Sequence, residues 1–122
     1  MMHLLPDLPD SVVGVEASGE VDDDDYEDVL RPAIEDRLSR HDNVRLLYVL
    51  GDDFEGYESD AMWEDAKLGA RFFTSFDRIA VVTDATWVRR SVKFLGWMIP
   101  GEVAHYPSGE RDAATAWITD GA

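Results

Sequence analysis

Along Ser11 to Ser18 the chain alternates, with Val13, Val15 and Ala17 set against Gly14, Glu16 and Ser18. A period of two predicts a half-buried β-strand, which Gly19 ends. Ahead of it, His3 to Leu5 is short and apolar, and Pro6-Asp7-Leu8-Pro9-Asp10 punctuates the link. The opening segment is therefore expected to pair with the strand as an edge hairpin. Tyr26, Val29, Leu30, Ala33, Ile34 and Leu38 then recur at helical spacing. Asp22 or Asp24 caps this helix, and the other carboxylates of the run Asp22 to Asp25 sit where the helix dipole favours them. Pro32 lies inside the helix and predicts a kink or a later start. Arg37, Arg40, His41 and Asn43 close it, with cations at the carboxyl end.

The next apolar run, Leu46 to Leu50, reads as the central strand, followed by a turn over Gly51-Asp52-Asp53-Phe54-Glu55-Gly56 and a helix from about Ser59 to Phe76. Arg78 to Thr83 is too continuously apolar to be half exposed and predicts a buried parallel strand. Asp84 or Thr86 caps a helix over Trp87 to Ile99, ended by Pro100-Gly101. Glu102 to Tyr106 is a last short strand, and Ser108 to Ile118 a closing helix carrying Ala113, Ala114, Trp117 and Ile118. Strands alternating with helices predict an α/β fold, with a mixed, largely parallel sheet of four to five strands and about four helices. Residues 1–122 are read as one domain.

Composition narrows the function classes. A charged share of 30% beside a hydrophobic share of 45% fits a compact protein rather than a disordered acidic tail. No apolar run of membrane length and no signal-peptide pattern is present, so the cytoplasm is the expected location. With no cysteine, thiolate nucleophiles and thiolate metal sites drop out. The net charge of -15 makes nucleic acid an improbable partner, because binding it needs cations against the phosphates.

Candidate chemistry falls in four places. On the helix from Ser59, Met62, Ala66, Gly69, Ala70 and Phe73 form one apolar stripe, with Ala61, Leu68, Phe72 and Phe76 beside it. Asp65 projects into that apolar arc, as a buried acid that needs a hydrogen bond or a cation such as Arg78. Asp52, Asp53 and Asp84 end predicted strands, as a magnesium-dependent phosphoryl-transfer site would require, but turn and cap roles account for them. The helix over Trp87 to Ile99 holds the basic cluster Arg89, Arg90 and Lys93 beside Trp87, Phe94, Trp97 and Met98. Large apolar groups beside cations mark a contact with a lipid, an amphiphile, a protein partner or a second copy of the chain. His3, His41 and His105 lack metal-ligand spacing, so no metal or cofactor is expected.

Val12-Val13-Gly14-Val15-Glu16-Ala17-Ser18-Gly19, Asp25-Tyr26 with Pro32, Asp52-Asp53-Phe54-Glu55-Gly56, Trp63-Glu64-Asp65, Phe76-Asp77-Arg78-Ile79-Ala80-Val81-Val82 and Trp87 together resemble the SpoIIAA-like family. This is a group of small bacterial proteins related to the STAS domains of anti-sigma-factor antagonists. The resemblance implies a mixed sheet with helices, similar to STAS domains and to the lipid-binding CRAL-TRIO core. STAS antagonists carry a phosphorylatable serine at the start of the helix after the central strand. Here that stretch is Glu58-Ser59-Asp60-Ala61, where Ser59 is a helix N-cap first and a phosphosite second. The expected function is a non-enzymatic module binding a hydrophobic or amphiphilic ligand. Its contacts are Phe54, Tyr57, Trp63, Trp87, Phe94, Trp97 and Met98, with Arg90 for an acidic head group. The alternative is a STAS-type regulatory interaction module, acting through the Ser59 helix, with a homodimer as one form.

Overall fold

The computed structural model describes residues 1–57, 74–84 and 100–122, with the backbone alone along Asp52–Tyr57. Five strands form one mixed sheet in the order of the chain: β1 (Met2–Leu4), β2 (Val12–Val21), β3 (Val44–Tyr57), β4 (Phe76–Val82) and β5 (Glu102–Tyr106). β1 runs antiparallel to β2, which is the expected edge hairpin, and every other pairing is parallel. β5 has the predicted bounds. Two helices stand among the described residues, against about four expected. The helix read over Trp87 to Ile99, and the one read from Ser59 except for its last residues, lie outside the described residues; Phe76, read as the end of that helix, instead opens β4, paired with Val44.

The first helix, α1, is continuous from Asp23 to Leu38 but changes pitch on the way. Asp22 caps it through a reciprocal capping box, accepting from Asp25 N at 3.1 Å while the Asp25 carboxylate accepts from Asp22 N at 3.0 Å. Pro32 neither breaks the helix nor delays it. Instead the turn before it, Tyr26–Leu30, is a π turn, closed by Arg31 N–H donating to Tyr26 O. Pro32 has no N–H to give and its ring crowds the carbonyl one turn back, and a wider turn relieves both conditions.

α1 covers one face of the sheet. Tyr26, Leu30, Ala33 and Ile34 pack on Val13, Val15, Ala17, Val44, Leu46, Tyr48 and Leu50, with the Tyr26 and Tyr48 hydroxyls 3.2 Å apart in the interior. Val12, Leu47, Val49, Ala80 and Val82 face the other way, under the second helix, α2 (Arg111–Thr119), through Ala114 and Ile118. Leu5 and Leu8 extend this second layer over Gly14, where a Cβ would strike Leu8 Cδ1. Hence β2 is buried on both faces over Val12–Val15, more fully than strict alternation predicts.

Two expected boundaries move. Gly19 does not end β2: it takes φ 58° and the strand continues to Val21. The turn expected over Gly51 to Gly56 is a continuation of β3, paired as Gly19↔Phe54, Glu20↔Gly56 and Val21↔Tyr57. Between Ala17↔Leu50 and Gly19↔Phe54 the register slips, so β3 bulges at the level where its pairing with β4 stops at Val49↔Val82. A bulge bends the strand and re-aims the side chains next to it.

Candidate functional site: a cleft beside the second helix

α2 runs back along the sheet, and arginines fix its carboxyl end. Arg45 of β3 donates to the carbonyls of Ile118 (3.1 Å) and Asp120 (2.6 Å). Its strand neighbour Arg78 donates to Trp117 O at 2.9 Å, and its guanidinium lies 5.3 Å from the centre of the Trp117 ring. Arg78 Nε also meets Glu102 at 3.1 Å. Cations on the last carbonyls of a helix satisfy groups that have no partner within it.

The amino end of α2 is fixed by the end of β4. The Asp84 carboxylate accepts from Ser108 N at 3.0 Å, in the single 3₁₀ turn Ser108–Glu110 that leads into α2. The backbone N–H and the hydroxyl of Ser108 hold the Asp84 carboxyl below its usual range. Thr83, buried at the end of β4, donates its N–H to Tyr106 O, while His105 Nε2 donates to Thr83 O at 2.7 Å. Asp84, His105 and Ser108 are thus neighbours, but their bonds tie strand to helix. They do not form the nucleophile, base and orienting acid of a hydrolytic triad.

Between this fixed helix and the sheet lies a cleft of about 370 Å³ lined by Glu16, Val49, Leu50, Gly51, Val82, Ser108 and Arg111. Its floor follows from the register. Glu16, Val49, Val82 and Tyr106 are paired neighbours in one row across β2, β3, β4 and β5. Gly51, two residues beyond Val49, places bare backbone on the same side at the bulge. Arg111, in the first turn of α2, reaches over this floor to Glu16, Nη1 to Oε2 at 2.8 Å. The lining is mixed, with the buried Val49 and Val82 below and one cation and one carboxylate, both partly exposed, at the rim. It also lies where β4 and β5 end, the side on which open parallel sheets usually hold ligands.

Ser59, Trp63, Asp65, Trp87, Arg90, Phe94, Trp97 and Met98 lie outside the described residues. Phe54 and Tyr57 belong to the extension of β3, past the cleft. Asp52 and Asp53 sit inside that strand rather than in a turn, and Asp84 is spent on Ser108. Asp22, Asp23 and Asp24 bring carboxylate oxygens within 4.8 Å of one another. Asp22 is engaged as the cap, and the charges of Asp23 and Asp22 push the Asp24 carboxyl up, as a crowded helix start requires. At the other end of α1, Asp10 holds Arg40 (2.8 Å) and His41 (2.8 Å), lashing the hairpin link to the helix. Hydrogen bonds from Arg40, then from His41, hold the Asp10 carboxyl well below the usual range. No described helix is long and apolar enough to cross a membrane.

Glu16 and Arg111 were not among the expected site residues. Glu16 had a signal, as the one charged residue between Val12 and Ser18. Arg111 had none, because the pair is 95 residues apart in sequence.

The SpoIIAA-like family model matches residues 12–119. Among solved structures, the chain is similar to an uncharacterised protein of the DUF3478 family with a SpoIIAA-like fold from Shewanella loihica PV-4. The identity is 22%, the TM-score is 0.73, and the match covers 97% of this chain and 92% of that one. No curated protein matches.

Proposed function

Because the chain belongs to the SpoIIAA-like family, we propose that it is a non-enzymatic regulatory module that binds a small amphiphilic molecule in the cleft between the sheet and α2. The observation that carries this reading is the cleft's lining, an apolar floor of Val49 and Val82 beneath the Glu16–Arg111 pair. Among the described residues, Glu16 in the cleft is paired with Arg111, and Asp84 and His105 beside it are committed to Ser108 and to Thr83 O, which supports binding rather than turnover. Two strand spacings separate Glu16 from Val82, about 10 Å, so the floor suits a compact amphiphile better than a long acyl chain.

Native mass spectrometry of protein purified without denaturation tests it. A low-mass adduct bound one to one is the expected result. An adduct-free protein that also takes up no small amphiphile at millimolar concentration contradicts the reading.

A further inference from the structure

We propose that the ligand is zwitterionic and of the α-amino acid class, with its carboxylate on Arg111, its ammonium on Glu16 and an apolar side chain over Val49 and Val82. This rests on the reading of the cleft as the ligand site. The cleft offers two opposite charges facing each other over an apolar floor, at present joined directly at 2.8 Å. A ligand entering between them has to part them. A simple carboxylate replaces Glu16 on Arg111 and leaves Glu16 beside apolar surface without its cation. A simple amine does the reverse to Arg111.

Both groups are partly exposed, so water offsets part of the cost of parting them, but only a ligand bearing both signs leaves neither group unpaired. The separation is mechanically open to them, because the side chains are 44% and 30% exposed and both have freely rotating stems. Net charge disfavours only the acid: at -15 the protein repels anions and attracts cations at long range, so discrimination against a simple amine rests on the unpaired Arg111 alone. Discrimination then comes from the group left unpaired by the wrong ligand rather than from added attraction to the right one.

Leucine, hexanoate and hexylamine separate these terms, because they offer similar apolar tails with both charges, the acid alone and the amine alone. Calorimetry on the wild type is expected to give leucine an affinity at least about tenfold above either single-charge probe. The methyl resonances of Val49 and Val82 should move on leucine binding. Glu16→Gln and Arg111→Gln should each weaken leucine about tenfold or more, and the exchange Glu16→Arg with Arg111→Glu should recover part of the loss. Hexanoate or hexylamine binding in the cleft as tightly as leucine overturns the zwitterion inference and leaves the cleft as the ligand site. If none of the three moves the Val49 and Val82 signals, the cleft reading falls, and this inference with it. The pair is at the rim, so the variants are expected to keep the wild-type circular dichroism; should one not fold, the comparison of probes on the wild type still decides.

Discussion

Leu47→Ala lowers the unfolding free energy by about 2–5 kcal/mol, measured by urea denaturation at neutral pH. Leu47 is 1% exposed and packs in the layer that α2 closes, with Val49, Ala80, Val82, Ala114 and Ile118. Its row neighbours are Gly14 on β2 and Ala80 on β4, which are too small to fill the space that a leucine leaves. Where the cost falls in that range depends on how far Leu8, seated over Gly14, moves into the space. α2 rests on this layer and carries Arg111, so the substitution should also loosen ligand binding in the cleft. A loss under about 1 kcal/mol would mean that the α2 face is not a packed core.

Gly101→Ala costs about 1–3 kcal/mol or more, by the same measurement, for the opposite reason. A Cβ at Gly101 would lie 2.6 Å from the carbonyl oxygen of Asp77 and 2.9 Å from its carbonyl carbon, with Phe76 O closer still. These are backbone atoms at the start of β4, so no side-chain rotation relieves the overlap, and β4 and the entry to β5 must part. Arg78↔Glu102, the first pair of that ladder, follows at once in the chain. Gly109→Ala is the internal control, because a Cβ there meets nothing within 4 Å. Equal effects at the two positions would contradict the close approach of the chain at Gly101.

These two substitutions also mark how far the sequence could be read. The parallel strands were legible because Leu46 to Leu50 and Ile79 to Val82 are continuous apolar runs, and β5 because Pro100-Gly101 and Pro107 bracket it. α1 was legible from the spacing of Tyr26, Leu30, Ala33 and Ile34, which the structure buries. The extension of β3 was not. Gly51-Asp52-Asp53 has turn composition, and local preference gives way there because the second half of β2 pairs with the backbone over Phe54 to Tyr57. That pairing depends in turn on Gly19 taking a positive φ, which allows β2 to continue where its alternation stops.

The candidate site was legible only in part, for a different reason. Period and turn chemistry report neighbours along the chain, whereas Glu16 and Arg111 meet through two long-range constraints. The row of paired residues brings Glu16 beside Val49, and Arg45 and Arg78 hold the far end of α2 on the sheet. Neither is written in a local motif. The Asp84–Ser108 tie has the same character, since Asp84 read alone is a helix cap.

The central claim is that the cleft beside α2, rather than any other surface, is where this protein meets its ligand. Backbone amide chemical-shift mapping tests it most directly, with leucine, hexanoate and hexylamine titrated in turn and the largest shifts assigned. The predicted result is a patch centred on Gly51, Ser108 and Arg111, with the Asp10, Arg40 and His41 end of the molecule unmoved. Shifts centred on that opposite end, or no shifts at Gly51, Ser108 and Arg111 with any of the three, would contradict it.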